Sequence, residues 1–214
     1  MDQRRFKELW ERCVGAGGED VFRQIEVLYG EAHRHYHDQT HIVHCLRQFD
    51  LARAIMTNPD AVEMALWFHD AIYEVPDGPS PDNERCSAKL FQVTAAGRGS
   101  ARFRSDVHRL IMITAHRKPP VTIDECYIVD IDLSGFGIDW PGFMRDNRNV
   151  RAEQPDRPES EYYAEEEAFL RSLLDRPAIF RTEFFRERHE RRARENIERY
   201  LGIKKPLKPG VGGL

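Results

Sequence analysis

The sequence predicts an all-α fold, and three observations carry that prediction. Apolar residues recur at helical spacing along nearly the whole chain, as in Phe6, Leu9, Trp10 and Cys13. A capping residue precedes a proline at Asn58-Pro59 and at Ser80-Pro81, the pattern of a helix start. No segment alternates apolar and polar residues long enough to predict a strand.

The elements follow in order. After the break "GAGGED", Val21, Phe22, Ile25, Leu28 and Tyr29 form one face of a second helix. Asp38 is a good N-cap for a third, running to about Met56. From Asn58, the run "DAVEMALWFHDAIY" is apolar nearly all round and predicts a central buried helix. "EVPDGPS" reads as a loop, and the helix opened by Ser80 and Pro81 is closed by Gly97. Ser100 opens a helix that stops near "ITAHRKPP", because two prolines cannot continue it. Thr122 caps "IDECYIVDIDLSGFG", whose glycines mark its end. "DNRNVRAEQPDRPES" predicts a long polar loop. Two charged helices are expected at about 160–175 and 183–201. The second has a thin stripe of Phe185, Ile197, Tyr200 and Leu201, and its arginines and glutamates are spaced to support it. The tail "KKPLKPGVGGL", residues 204–214, should be disordered, leaving one domain over 1–203.

The chain has 214 residues, 41% hydrophobic and 32% charged, which suits a single soluble domain with a real core. A net charge of −4 argues against a broad electrostatic grip on a nucleic-acid polymer. No apolar run nears the roughly 18 residues of a membrane span. "MDQRRFKELW" lacks the apolar region of a signal peptide. The widely spaced Cys13, Cys45, Cys86 and Cys126 form no CxxC pair and read as reduced, buried thiols. A cytoplasmic protein without a membrane partner is expected.

Three segments place charged chemistry among apolar residues. "HRHYHDQTHIVHC" holds His33, His35, His37, His41 and His44. If its helix starts at Asp38, the core stripe is Ile42, Cys45, Leu46, Phe49, Ala52 and Met56. His41 then lies about 60° from the stripe's centre and His44 about 120° away. This puts His41 at the edge of the core and His44 in solvent, with His33 and His35 as surface residues. In "FHDAIYE", His69 and Asp70 stand side by side where everything around them reads as core. A buried imidazole can be satisfied by a carbonyl, whereas a buried carboxylate needs a cation, a metal or several donors. The pair could reach one ion from late in its helix, or simply bond to each other. In "YIVDIDLSGFG", Asp132 falls between Ile128 and Val129 on the helical wheel, inside an apolar patch. Asp130 falls nearer Cys126 and suits capping or an arginine partner. Imidazoles and carboxylates in this order, His…His-Asp…Asp, suit a divalent transition metal and leave positions for water.

The chain here resembles the HD superfamily of metal-dependent phosphohydrolases, and in particular a small bacterial subgroup of it. The resemblance rests on "YHDQTHI", "ALWFHDAIY", "DNERCSA", "TAH" and "DIDLSGFG", which span about Tyr36 to Gly137. Weaker matches, "FLRS…IFRTEFF" and "ARENI", extend it to about residue 197. It implies an HD-type helical bundle with a metal-site core at about 36–137 and a C-terminal extension at about 160–203. It implies metal ligands at His41, His69, Asp70 and Asp132, holding one or two ions of Mn, Fe, Ni, Co, Zn or Mg. His37 matches a general acid toward the leaving oxygen, and His116, expected just past its helix end, a group for a second metal or the phosphate. Glu84, on a first helical turn, reads either as a partner of the helix dipole, or as an acid behind the ligands or a base orienting water. Arg151 reads as a solvated residue, and Gln154 stands where the subgroup has an aromatic. The expected activity is hydrolysis of a nucleotide or small phosphoester by a metal-activated water. The alternatives are a di-iron oxygenase and a non-catalytic nucleotide-binding module.

Overall fold

A computed structural model describes residues 1–75, 80 and 82–204 of the chain. These residues build an all-α bundle, with no strand among them. The helices are α1 (Gln3–Cys13), α2 (Gly18–Leu28), α3 (Gln39–Ala52), α4 (Pro59–Phe68), α5 (Asn83–Thr94) and α6 (Ala101–Ile113). They continue as α7 (Ile123–Leu133), α8 (Trp140–Ala152), α9 (Glu159–Leu174), α10 (Glu183–Phe185) and α11 (Arg191–Lys204). A wide turn, Arg186–Glu190, joins the last two into one rod. No described helix is long and apolar enough to cross a membrane.

The expected central helix is α4. Asn58 Oδ1 accepts the Ala61 N–H at 3.3 Å and Pro59 opens the helix, so its first turn is satisfied and pre-shaped. Every residue from Ala61 to Phe68 is buried, because α1, α3, α5, α6 and α7 surround it. Trp67 meets Phe6 of α1 at 5.3 Å and Phe68 meets Phe91 of α5 at 5.2 Å between ring centroids. Each such ring contributes roughly 1.5–3 kcal/mol on burial. Glu63, buried on the same helix, is neutralised by Arg5, whose Nε donates to it at 2.6 Å. The turn from α5 to α6 touches the end of α1 at Gly99, where φ is +58° and a Cβ would collide with the Cys13 carbonyl.

Several expected boundaries are corrected. The central helix stops at Phe68 rather than running to Tyr73, because the Asp70 and Ala71 carbonyls turn to the Arg34 guanidinium, at 2.6 and 2.9 Å. The third helix ends at Ala52, and Arg53–Ile55 tighten into a 3-10 turn before Met56. Ser80 does not cap α5. Its carbonyl accepts the Asn83 N–H at 3.2 Å, and Asp82 holds the cap position. Pro81 and residues 76–79 of the expected loop lie outside the described residues. So does the expected tail, except Lys204, which ends α11.

The largest correction is the long polar loop. Its first half is the end of α8, whose apolar anchors Trp140, Phe143 and Met144 lie upstream of the polar run. Asp130 behaves as a cap rather than a ligand. Its carboxylate accepts the N–H groups of Arg181 and Thr182 and the Thr182 hydroxyl, each at 2.7 Å, and so ties α10 to α7. Burial pushes the Asp130 pKa up to about 6 despite these donors.

Candidate metal centre

Three chain turns deliver the cluster. Asp38 caps α3, accepting the Thr40 N–H at 2.7 Å, and this sets the helical phase that turns His41 inward. His69 caps the C-terminal end of α4, and its Nδ1 donates to the Leu66 carbonyl at 2.9 Å. That bond leaves Nε2 as the ring nitrogen directed into the cluster. Asp132 sits one residue before the end of α7, on the face it shares with α3 and α4.

The side chains converge on one point. His41 Nε2 and His69 Nε2 lie 3.2 Å apart. Asp70 Oδ2 is 3.0 Å from His69 Nε2 and 3.4 Å from His41 Nε2. Asp132 Oδ1 is 3.3 Å from His41 Nε2 and 3.6 Å from His69 Nε2. Metal bonds of about 2.0–2.2 Å place neighbouring donor atoms roughly 3.0–3.5 Å apart, so the spacing suits one ion. His41, Cys45, His69 and Asp132 form a group that could hold a metal ion, with ligand atoms within 4.8 Å of one another. The Cys45 sulfur lies 3.6 and 4.0 Å from the two ring nitrogens of His41, so it sits beside the imidazole rather than beyond its Nε2.

Electrostatics keep this cluster charged. Burial disfavours charge on all four groups, yet their mutual attraction prevails. The His41 pKa is raised well above the usual value against that burial, by Cys45, Tyr36, Asp132 and Asp70. Asp70 and His69 do the same for each other in opposite directions. Asp132 is held well below the usual carboxylate value by His116, His41 and His69.

The remaining expected residues gather around a cavity of about 430 Å³ against the cluster. His37, Glu84 and His116 line it beside Asp70 and Asp132. His116 follows α6 with φ at +54°, a conformation uncommon outside glycine, and its Nε2 donates to Asp132 Oδ2 at 2.9 Å. Asp132 thus faces the histidine pair with one oxygen and His116 with the other. Burial raises the Glu84 pKa, and Asp70 adds to it. His44, expected in solvent, is half-buried and bonds Ser134 Oγ at 2.8 Å, with burial lowering its pKa to about 4. His35 is exposed as expected, and His33, also exposed, lies 2.8 Å from the Tyr73 carbonyl. Only Cys45 of the four cysteines is fully buried, and all four are free thiols.

Sequence reasoning missed three residues here. Glu153, at the end of α8 and 1% exposed, accepts the N–H groups of His35, Tyr36 and His37 on Oε1 at 2.9, 2.7 and 2.8 Å. Its Oε2 accepts from His37 Nδ1 at 2.7 Å. Burial opposes its ionisation, but His37 and the amides win and draw the Glu153 pKa down to about 2. Arg34, buried, donates to the His37 carbonyl at 3.0 Å and to those of Asp70 and Ala71, stapling the two ligand-bearing segments together. Cys45 was legible only as a core residue. Arg151 is not free in solvent, since it donates to the Gln154 and Arg157 carbonyls and covers the Tyr162 ring at 5.0 Å. Gln154 is buried on the cavity wall. Comparison of the chain with protein-family models, curated proteins and solved structures gave no match.

Proposed function

We propose that this chain is an HD-type phosphohydrolase that binds a divalent transition metal through His41, His69, Asp70 and Asp132. The observation that carries the reading is that two imidazole nitrogens lie 3.2 Å apart and two carboxylate oxygens, from separate chain turns, each lie 3.0–3.6 Å from both of them. We choose Asp70 over Cys45 as fourth donor because the sulfur lies beside the His41 ring, whereas the Asp70 oxygen faces both Nε2 atoms. Mn, Fe, Co, Ni or Zn suits this hard and borderline donor set. When bound, such an ion lowers the pKa of water and polarises a phosphoryl oxygen.

The chain's own residues do the rest. His116 orients Asp132 and presents its ring to the cavity. His37, which also lines the cavity, can protonate the leaving oxygen of a nucleotide or small phosphoester. Glu84, with a raised pKa, can exchange a proton with water in the cavity.

The test is elemental analysis of untagged protein together with a phosphoester assay. The protein should carry one or two transition-metal ions per chain, and Asp70→Ala should lose them. Hydrolysis of p-nitrophenyl phosphate or bis(p-nitrophenyl) phosphate should stop with EDTA and return with Mn²⁺, Co²⁺ or Ni²⁺. Turnover unchanged by His69→Ala would overturn the reading. Oxygen uptake by iron-loaded protein would favour the oxygenase, and nucleotide binding without turnover the binding module.

A further inference from the structure

Glu153 is an unusual carboxylate for a residue outside the metal cluster. It is buried at the C-terminal end of α8, yet it is not there to pair with a lysine or arginine. One oxygen gathers three consecutive amides of the segment before α3, and the other takes the Nδ1–H of His37. The His37 ring is fixed on its second side by the Tyr73 ring, stacked at 4.0 Å and 25°. With Nδ1 committed to Glu153, Nε2 is the nitrogen left for the cavity that His37 lines. An imidazole on a chain turn would otherwise sample several rotamers and both tautomers.

We infer that Glu153 is the positioning residue that makes His37 a proton donor to the leaving group. The inference rests on the hydrolase reading and adds a residue to it. In the step concerned, a hydroxide drawn from water forms the new bond to phosphorus. The bond from phosphorus to the leaving oxygen breaks, and its electron pair stays on that oxygen. The Nε2 proton of His37 passes to it, giving the free alcohol. The Nδ1 proton stays on the ring, held by Glu153, and a solvent proton restores Nε2–H.

Leaving groups separate this role from a merely structural one. A p-nitrophenolate leaves without a proton, whereas an alkoxide needs one. The experiment compares Glu153→Gln, His37→Gln and the double variant with wild type, on p-nitrophenyl phosphate and glycerol phosphate. Bis(p-nitrophenyl) phosphate and diethyl phosphate form the corresponding pair of diesters. Glu153→Gln should lower kcat on the alkyl ester by at least about thirtyfold more than on the aryl ester. His37→Gln should do the same, and the double variant should add little to either. Equal losses on both esters, or additive losses, would overturn the inference.

A readout free of activity runs alongside. In long-range ¹H–¹⁵N spectra, the His37 ring, identified by its disappearance in His37→Gln, should carry a proton on Nδ1 in the wild type. It should lose that fixed protonation in Glu153→Gln. A wild-type ring without the Nδ1 proton would overturn the inference even if no phosphoester is turned over. Absence of all phosphoester turnover with the expected spectra would instead count against the hydrolase reading. If Glu153→Gln fails to fold, His37→Gln carries the leaving-group test by itself and the wild-type spectrum carries the tautomer test.

Discussion

Arg34 shows how much of the site depends on one residue that touches no ligand atom. Its guanidinium is buried and spends its donors on the carbonyls of His37, Asp70 and Ala71, with Glu31 at 3.0 Å as its carboxylate partner. Arg34→Met keeps much of the stem's packing but leaves three carbonyls short of a donor. It should destabilise the protein by about 2–4 kcal/mol in urea unfolding, and loosen metal binding in the folded fraction. His69 and Asp132 were legible in the sequence because each is a polar residue among apolar ones, a local contradiction that demands a cause, and His41 because its helical phase sets it at the edge of the core stripe. Arg34 and Glu153 lie in polar runs, where nothing contradicts a solvated reading. Cys45 was hidden for the opposite reason, since a thiol in a core stripe is unremarkable.

Among the elements, α7 is the one whose start decides where Asp132 arrives. Thr122 Oγ1 accepts the Glu125 N–H at 3.3 Å, and the Glu125 carboxylate returns to the Thr122 N–H at 2.9 Å. This capping box was half visible, as a threonine before an apolar run. Thr122→Ala should cost about 1 kcal/mol, seen as a fall in Tm without a change in metal content. Helix α8 was not recognised, although Asp139 at its start and Pro141 in its first turn repeat the signal read correctly at Asn58-Pro59. Its polar second half, "DNRNV", outweighed that signal in a reading that followed composition. The premature end of α4 has a different origin. Nothing within "HDAIY" breaks a helix, and the break comes from Arg34, 36 residues upstream of Asp70.

For the whole molecule, Glu153 couples the end of α8 to the segment before α3, across 116 residues of chain from His37. A carboxyl with a depressed folded pKa binds its proton more weakly folded than unfolded. It therefore stabilises the fold at any pH above its unfolded value and ceases to do so as pH falls through the folded one. For Glu153 that window runs from its ordinary value of 4.5 down to about 2. The stabilisation at stake is about 3 kcal/mol. Acid titration of urea stability should show a steeper loss over this window in the wild type than in Glu153→Gln. Equal slopes would remove Glu153 from the account.

The sequence by itself determined the all-α class, most of the helices, the buried central position of α4 and the misplaced polar residues that meet in the candidate metal cluster. Helical periodicity, caps and misplaced charges are local signals, and these features are local. The tertiary structure decided which partners those residues meet. It brought Glu153 to His37, Arg34 to Asp70, and His116 to the far oxygen of Asp132. It also brought α8 and α9 to the cavity wall, through residues such as Val150, Tyr162 and Phe169. Each of these pairings joins two segments whose own sequences are satisfied without the other. Only the packing of the helices brings such groups within hydrogen-bond reach.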